Sequence, residues 1–293
     1  MTSTALRSTI LHWRLPFGFF LLPIFLFAAV VNPPTDLLRL ILAFTAIHLF
    51  LYPASHAFNS WYDKDEQSIG ILKTPPPVTR SLFISAWILD ALALTTAFFV
   101  SWLFGVCLTV YTLASKAYSW PPIRFKRLPV SGWLGVGLIQ GALTFFATAQ
   151  GLGTPVFWTS GKLWLGVAIS AVFLWAVYPM TQIYQHVEDG LRGDQTISRK
   201  LGIRGTFVLS GLLMGLAGGL FFLWFFLYQG ADFAVLFLIS EVPVAVYFTF
   251  WAMQCWKNPE RANFRGTMVL NLLASGMTNL FFLWEILRIW RII

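Results

Sequence analysis

Nine runs of mostly apolar residues, at 15–31, 36–58, 81–101, 104–119, 132–151, 162–185, 205–228, 232–254 and 267–290, take up most of the 293-residue chain. Each is close to the roughly 20 residues an α-helix needs to cross the hydrocarbon core of a bilayer. Lipid offers no partner to a bare peptide group, so such segments span as helices that satisfy their own backbones. Composition points the same way. Charged residues are 11% of the chain, hydrophobic residues 57%, and the mean hydropathy is +0.71. A soluble domain carries about 25% charged residues, so this chain lacks the charge to coat a globule. No long polar stretch remains to build a second domain. The expected fold is all-α: a polytopic membrane protein of about nine transmembrane helices in a single bundle, with residues 1–293 forming one domain. The first run follows Arg7 and Arg14, as a signal peptide would, but it is long and lacks a small-x-small cleavage site. It is therefore read as the first spanning helix.

Nine spans put alternate loops on alternate sides. One side then receives Arg7, Arg14, Lys64, Lys73, Arg80, Arg124, Lys126, Arg127, Arg192, Arg199, Lys200, Arg204, Lys257, Arg261 and Arg265, 15 of the 20 cationic residues. The positive-inside rule makes that side, and the N-terminus, cytoplasmic. The net charge of +8 needs no nucleic-acid partner, because topology and anionic headgroups account for it. Cys107 and Cys255 both fall in apolar runs, which argues against a disulfide framework and for two buried thiols.

Acidic residues are placed more selectively. Of 12 in the chain, six lie in two of the cytoplasmic loops: Asp63, Asp65 and Glu66 after the second span, and Glu188, Asp189 and Asp194 after the sixth. The loops after the fourth and eighth spans are basic instead. The order acid, base, acid, base suggests two related four-helix halves, 15–119 and 132–254, followed by a ninth helix at 267–290.

The chemistry of the acidic loops follows from spacing. If the second helix runs on past the membrane, Asn59, Asp63 and Gln67 fall four apart on one face. Gln182, Gln185 and Asp189 share a face in the same way on the sixth helix. Carboxylate and amide oxygens, with Asp65, Glu66 and Glu188 close by, suit a hard cation such as Mg²⁺, which is typically held by one or two carboxylates together with substrate phosphates. Lys73, Arg124, Lys126, Arg127, Arg199 and Lys200 are the cations available to neutralise such phosphates. The bland alternative is a set of solvated loop charges, and for any single residue it carries weight. It accounts poorly for half of the acids gathering in two matching places.

These residues resemble the motifs of the UbiA superfamily of intramembrane prenyltransferases. His56-Ala-Phe-Asn59-Ser60-Trp61-Tyr62-Asp63-Lys64-Asp65-Glu66-Gln67 resembles the family's Asn-Asp-x-x-Asp-x-x-x-Asp motif. Gln185-His186-Val187-Glu188-Asp189, trailed by Gly193-Asp194-Gln195-Thr196 and Leu201-Gly202, is similar to its Asp-x-x-x-Asp motif. Tyr118-Ser119-Trp120-Pro121-Pro122-Ile123-Arg124-Phe125-Lys126-Arg127 resembles the Tyr-Ser-x-Pro-Pro-x-x-x-Lys-Arg stretch that follows the family's fourth helix. The resemblance implies a bundle around a central cavity and Mg²⁺-dependent transfer of a prenyl group from its diphosphate to a lipophilic, aromatic acceptor. The lipid bilayer is the remaining partner, and no obligate protein partner is expected. It implies catalytic roles for Asn59, Asp63, Asp189, Lys73 and Tyr118. It further implies diphosphate contacts from Lys73, Ser119, Arg124, Lys126, Arg127, Gln182, Gln185, Arg199 and Lys200. The metal would be held among Asn59, Asp63, Asp65, Glu66, Gln67, Gln185, Glu188 and Asp189.

The departures from the motifs matter. Ser60 stands in place of one family Asp, Gln67 in place of another and Gln185 in place of a third. Gln keeps an oxygen ligand and loses a charge, so fewer Mg²⁺ ions, or weaker binding, are expected. The same losses leave room for a cyclase that needs no acceptor, or for a non-catalytic protein that binds or transports lipid.

Asp90, Glu241 and Glu285 fall inside spans, where a carboxylate costs about 2.5–3.5 kcal/mol on insertion scales, so each is expected to face the bundle interior or an interface. Asp90 is the best of the three for a cavity role, though a structural hydrogen-bonded carboxyl is favoured, and Glu285 reads as a local partner of Arg288. His56 and His186 read as satisfied helix-end histidines. Trp61, Tyr62, Tyr118, Tyr178 and Tyr184 are placed at the mouth of the site. Gly137-x-x-x-Gly141 and Gly211-x-x-x-Gly215-x-x-x-Gly219 are read as internal helix crossings, and Pro179 as a kink before the second acidic motif.

Overall fold

The computed structural model describes residues 3–154 and 159–291. Among these the regular structure is helical, apart from an isolated bridge between Ile69 and Leu72. The helices are α1 (Ser3–Trp13), α2 (Gly18–Val31), α3 (Leu37–Asp63), α4 (Arg80–Val100), α5 (Trp102–Ser119), α6 (Pro129–Leu152), α7 (Gly161–Gln182), the short α8 (His186–Leu191), α9 (Ile197–Tyr228), α10 (Ala231–Lys257) and α11 (Phe264–Ile289). Eight stretches among the described residues are long and apolar enough to span a bilayer, counting α1 and α2 together as one. The 18-residue α5 is less apolar, carrying Ser115, Lys116, Tyr118 and Ser119 in its last turns, and packs against α3, α4 and α6. The protein is an integral membrane protein.

Where the helices break decides which side chains reach the site. Arg14 adopts a left-handed conformation (φ 49°) and separates α1 from α2. The boundary between the third and fourth spans lies at Ser101, where the expected run 81–101 ends. Ser101 is extended, ends α4, and accepts a hydrogen bond from the Phe104 N–H as the cap of α5. The sixth span stops at Gln182 rather than 185. The seventh begins at Ile197, earlier than expected, and bends at Gly202 (φ 67°). Two stretches wind as π-helix, Thr45–Leu51 within α3 and Val136–Leu143 within α6.

Membrane prolines leave a carbonyl four residues back without its helical donor, and at Pro23 and Pro179 side chains of neighbouring helices supply it. Pro23 frees the Phe19 carbonyl, which accepts from Asn279 Nδ2 at 3.1 Å. Pro179 frees the Trp175 carbonyl, which accepts from Trp133 Nε1 at 3.0 Å. Both bonds cross between helices, α11 to α2 and α6 to α7. In the hydrocarbon interior they remove an otherwise unsatisfied acceptor.

Around the bundle, α3, α4 and α5 pack in sequence, then α6, α7, α9, α10 and α11, and α2 closes the ring by packing on both α11 and α6. Gly137 and Gly141 permit the α6–α7 crossing: a Cβ on Gly141 would lie 2.5 Å from the Ser170 carbonyl oxygen. Gly215 and Gly219 have no neighbouring atom within 4 Å of a Cβ and lie on the outer surface, so the expected internal packing of that second glycine run fails beyond Gly211. The half of the bundle away from the acidic segments is filled by aromatic rings. Phe27 stacks on Phe282 (centroids 5.3 Å apart) and touches Phe145, Phe221 and Trp224, and Phe225 and Phe237 extend the cluster. Asp90 pairs with Lys116 at 2.6 Å between α4 and α5, with the ammonium over the Phe58 ring, and does not line the cavity. Glu285 pairs with Arg288 at 2.5 Å, and Glu241 accepts from the Thr278 hydroxyl.

Candidate active site

The other half of the bundle holds a cavity of about 250 Å³, bounded by α2, α3, α5, α6, α7 and α11. Its mouth is built by three short segments that follow α3, α5 and α7.

The first comes off α3. Asn59 and Asp63 sit one turn apart on the same face, and Asn59 Nδ2 donates to Asp63 Oδ2 and to Ser119 Oγ, each at 2.9 Å. Lys64 then turns left-handed (φ 50°) and its N–H caps Ser60. The helix ends there, so Gln67 does not continue the Asn59–Asp63 face. The chain instead folds back over the mouth. Asp65 is buried and pairs with Arg192 at 2.6 Å, and a tight turn at Ile69 and Gly70 closes over Arg14.

The second segment comes off α7. The helix unwinds for Ile183 and Tyr184, and α8 starts at His186. Gln182 and Asp189 therefore stand on different helices, not on one continuous face, yet both line the cavity together with Gln185. Gln185 Nε2 donates to the Ser68 carbonyl, which ties the two acidic segments together. Asp189 accepts from the Thr196 hydroxyl at 3.3 Å. Burial, and then the neighbouring Asp194 charge, push the Asp189 carboxyl up to about 7, against the pull of Lys126 and Arg192. Burial likewise raises Asp65, with Asp63 adding to it and Arg192 opposing.

The basic segment after α5 lies between them. Arg124 donates to Asp194 through Nε (3.1 Å) and Nη2 (2.8 Å), and its Nη2 also reaches Asp63 Oδ1 at 3.2 Å. The Lys126 ammonium donates to Asp63 Oδ2. One short segment thus clamps both acidic ones. Its position is fixed from behind, where the Gln195 N–H donates to the Arg127 carbonyl and Gly132 packs on the Lys126 backbone.

Asn59, Asp63, Asp65, Tyr118, Ser119, Lys126, Gln182, Gln185 and Asp189 thus come together at the cavity. The remaining sequence candidates do not. Glu188 is turned to Arg192 (2.5 Å) and to the Glu66 N–H (3.0 Å), outside the cavity. Glu66 and Gln67 are exposed because the helix has ended before them. Lys73, Arg127 and Lys200 are exposed, and Arg199 donates to the Asp194 carbonyl from outside. Arg124 acts on the carboxylates rather than lining the space. Tyr118, Tyr178 and Tyr184 line the cavity, the first two in hydroxyl-to-hydroxyl contact, whereas Trp61 and Tyr62 pack on Phe83 and Phe58.

Sequence reasoning missed two cations. Arg14 is buried in the cavity wall, where it donates to the His56 carbonyl at 3.2 Å and lies 3.5 Å from Ser60 Oγ. Arg192 lines the cavity and holds Asp65 and Glu188. An Arg immediately before a proline-bearing apolar run, and an Arg four residues after Glu188, were the available signals.

As a metal site the carboxylates and amides at the mouth offer oxygen donors, which suit a hard cation. Among the described residues no three His, Cys, Asp or Glu side chains converge as a ready-made metal site. Asp65 Oδ2 is nonetheless buried without a hydrogen-bond partner, and Asp189 is held by a hydroxyl rather than an ion pair. Those spare lone pairs fit a cation whose shell is completed by substrate oxygens.

A family model described as the UbiA prenyltransferase family matches residues 20–286. The chloroplastic homogentisate solanesyltransferase of Arabidopsis thaliana is 34% identical over 103 residues, which cover 33% of this chain and 26% of that protein. A probable chloroplastic homogentisate phytyltransferase 2 of Oryza sativa subsp. japonica is 31% identical over 141 residues, covering 44% and 37%. The chain thus matches little more than a third of the length of these relatives at most. A UbiA homolog from Archaeoglobus fulgidus, solved bound to DMAPP and Mg²⁺, shares the fold with a TM-score of 0.72 at 18% identity, over 95% of this chain and 97% of the other.

Proposed function

The chain belongs to the UbiA prenyltransferase family, and on that premise we propose that it transfers the prenyl group of an allylic prenyl diphosphate to a lipophilic, aromatic acceptor within the membrane. One observation carries the reading. Carboxylates, amides and cations from three separate segments converge at the mouth of a shaft lined below by Phe17, Phe20, Leu21, Phe173, Leu174 and Val177. A diphosphate matches the mouth, and its hydrocarbon tail matches the shaft.

In this reading Lys126, Arg192 and Arg14, which line the cavity, hold phosphate oxygens through charge-assisted hydrogen bonds. Asn59, Asp63, Asp65, Gln185 and Asp189 would hold Mg²⁺. Mg²⁺, when bound, would neutralise the diphosphate and stabilise the charge that develops on the leaving oxygen. For Asp63 to serve, Lys126 and Arg124 must turn from its carboxylate to the phosphates. Each cation then exchanges one anionic oxygen for another, so the rearrangement costs little net pairing. The aromatic faces of Phe17, Phe20 and Phe173 suit an allylic cation as the C1–O bond breaks. The acceptor captures the cation through a ring carbon and passes the ring proton to the departed diphosphate. With Ser60, Gln67 and Gln185 in place of carboxylates, the site holds fewer Mg²⁺ ions, or holds them more weakly, than the family pattern implies. The named homogentisate enzymes among the relatives support an aromatic acceptor.

The reading takes residues 1–293 as one domain, supported by a main core that runs from Leu21 to Phe282. It places the N-terminus and the site on the cytoplasmic side, supported by the cation distribution. The halves 15–119 and 132–254 gain support from a shared detail, since Pro53 and Pro179 each stand ten residues before the key aspartate of their half.

The test is turnover by the purified protein in detergent with Mg²⁺, across a panel of allylic diphosphates with and without phenolic acceptors. A prenylated acceptor is the expected product. A hydrocarbon or terpene alcohol formed equally well without acceptor would assign a cyclase instead. Intact diphosphate throughout would overturn both enzymatic readings.

A further inference from the structure

The shaft has two unlike walls. On the side of α2 and the adjoining part of α7, where Phe20, Leu21, Phe173, Leu174 and Val177 line it, it is apolar, and α11 adds Asn271 and Ser275 beside them. On the side of α3, α5 and α6 a ladder of uncharged polar groups descends from the mouth. Asn59 donates to Ser119 at the top rung. One turn down each helix, about 6 Å, the Ser55 and Ser115 hydroxyls are 2.6 Å apart. Another turn down α5, Tyr111 lines the cavity together with Gln140 of α6. Ser55, Ser115 and Gln140 keep part of their surface open to the cavity. Gln140 lies inside the π-helical stretch Val136–Leu143, and Ser55 lies four residues beyond the stretch Thr45–Leu51. Each π turn inserts an extra residue and rotates the remainder of its helix, a device found at functional sites.

A prenyl chain laid on this wall would leave hydroxyl lone pairs and an amide N–H facing hydrocarbon, at a cost in desolvation. The surface of Phe20, Leu21, Phe173, Leu174 and Val177 takes the same chain at no such cost. We propose that the Ser55–Ser115–Tyr111–Gln140 wall seats the acceptor, a neutral ring bearing hydroxyl or quinol oxygens, with the prenyl chain on the opposite wall. This deepens the transferase reading above and rests on it. The top rung is where phosphate and metal are read, so an acceptor oxygen one or two turns lower sets the ring beside the first carbons of the prenyl chain. The wall carries no formal charge, so it selects hydrogen-bonding oxygens rather than a carboxylate.

Binding separates this from the function it builds on. Purified protein in detergent is titrated with methylhydroquinone, with its dimethyl ether, and separately with geranyl thiolodiphosphate plus Mg²⁺. Wild-type protein should bind the hydroquinone about tenfold more tightly than the ether, the scale of one or two neutral hydrogen bonds. Gln140→Leu, and the gentler Tyr111→Phe, should cut that preference to about twofold while leaving affinity for the thiolodiphosphate unchanged. Equal binding of hydroquinone and ether by the wild type would overturn the proposal, as would variants that weaken the thiolodiphosphate as much as the hydroquinone. So would acceptor-free release of a prenyl alcohol that Gln140→Leu abolishes, since the wall would then be holding water. Failure to bind the thiolodiphosphate counts against the diphosphate site alone, because the hydroquinone pair reports on the wall without it.

Discussion

Asp63 and Asp189 look equivalent in sequence, yet they are held differently, and variants should tell them apart. Asp63 anchors Lys126 and Arg124, whereas Asp189 has a hydroxyl partner. Asp63→Ala and Asp189→Ala should each abolish turnover. Asp63→Ala should also lower the unfolding temperature by several degrees, because it strands a buried ammonium, while Asp189→Ala should leave thermal unfolding nearly unchanged. Identical melting of the two variants would contradict the ion-pair assignment. The Asp189 carboxyl, pushed up to about 7, makes a second prediction at this scale. A metal ligand must be ionised, so Mg²⁺ affinity should climb with pH by up to about tenfold per unit below 7 and level off above it. The same raised value works oppositely on the metal-free fold: the neutral form is favoured, so this group's contribution to stability is full below its ordinary range and is lost as pH rises through 7. Mn²⁺ titration followed by electron paramagnetic resonance at several pH values checks the first, and Asp189→Asn should flatten the curve. The residues that spacing found are those sharing a helical face, Asn59 with Asp63. Gln67 was wrongly placed with them, because one left-handed residue, Lys64, ends the periodicity before it. Arg14 and Arg192 escaped because only the closed ring of helices brings them to the mouth.

At the scale of elements, the sequence told where helices exist better than where they stop. Hydrophobic runs of membrane length are unambiguous, but the breaks at Ser101, Gln182 and Gly202 depend on one or two dihedral angles each. The prolines are instructive, since their cost is visible in sequence and its remedy is not. Asn279 is distant from Pro23 in the chain and caps the carbonyl that Pro23 frees. Asn279→Leu should destabilise the protein by about 1–3 kcal/mol, the range for a buried acceptor left without a partner. Pro23→Ala restores the helical donor and should reduce the penalty of the second change. Unfolding in a mixed-micelle denaturant titration measures all three variants, and strictly additive effects would mean that the two residues do not share a carbonyl.

The whole molecule divides into a reactive half and a solid half. That its polar chemistry gathers at one end was legible, because both acidic and both basic loops alternate onto one side. Which side that is can be tested directly: a cysteine placed at exposed Lys73 should react with a membrane-impermeant maleimide only from the cytoplasmic face, with buried Cys107 and Cys255 silent. Labelling from the outer face would invert the topology. The aromatic packing of the far half around Phe27 and Phe282 was not legible, since the chain's 29 phenylalanines give no hint of which rings meet. Its consequence concerns traffic. Among the described residues, a bundle stoppered in this way is a blind-ended vessel that leaves water, ions and protons no through-route down its axis. Whatever enters by the mouth must leave by that same opening or sideways between helices into the lipid, which is where, on the proposed transferase reading, a product that has exchanged its diphosphate for a ring is most soluble.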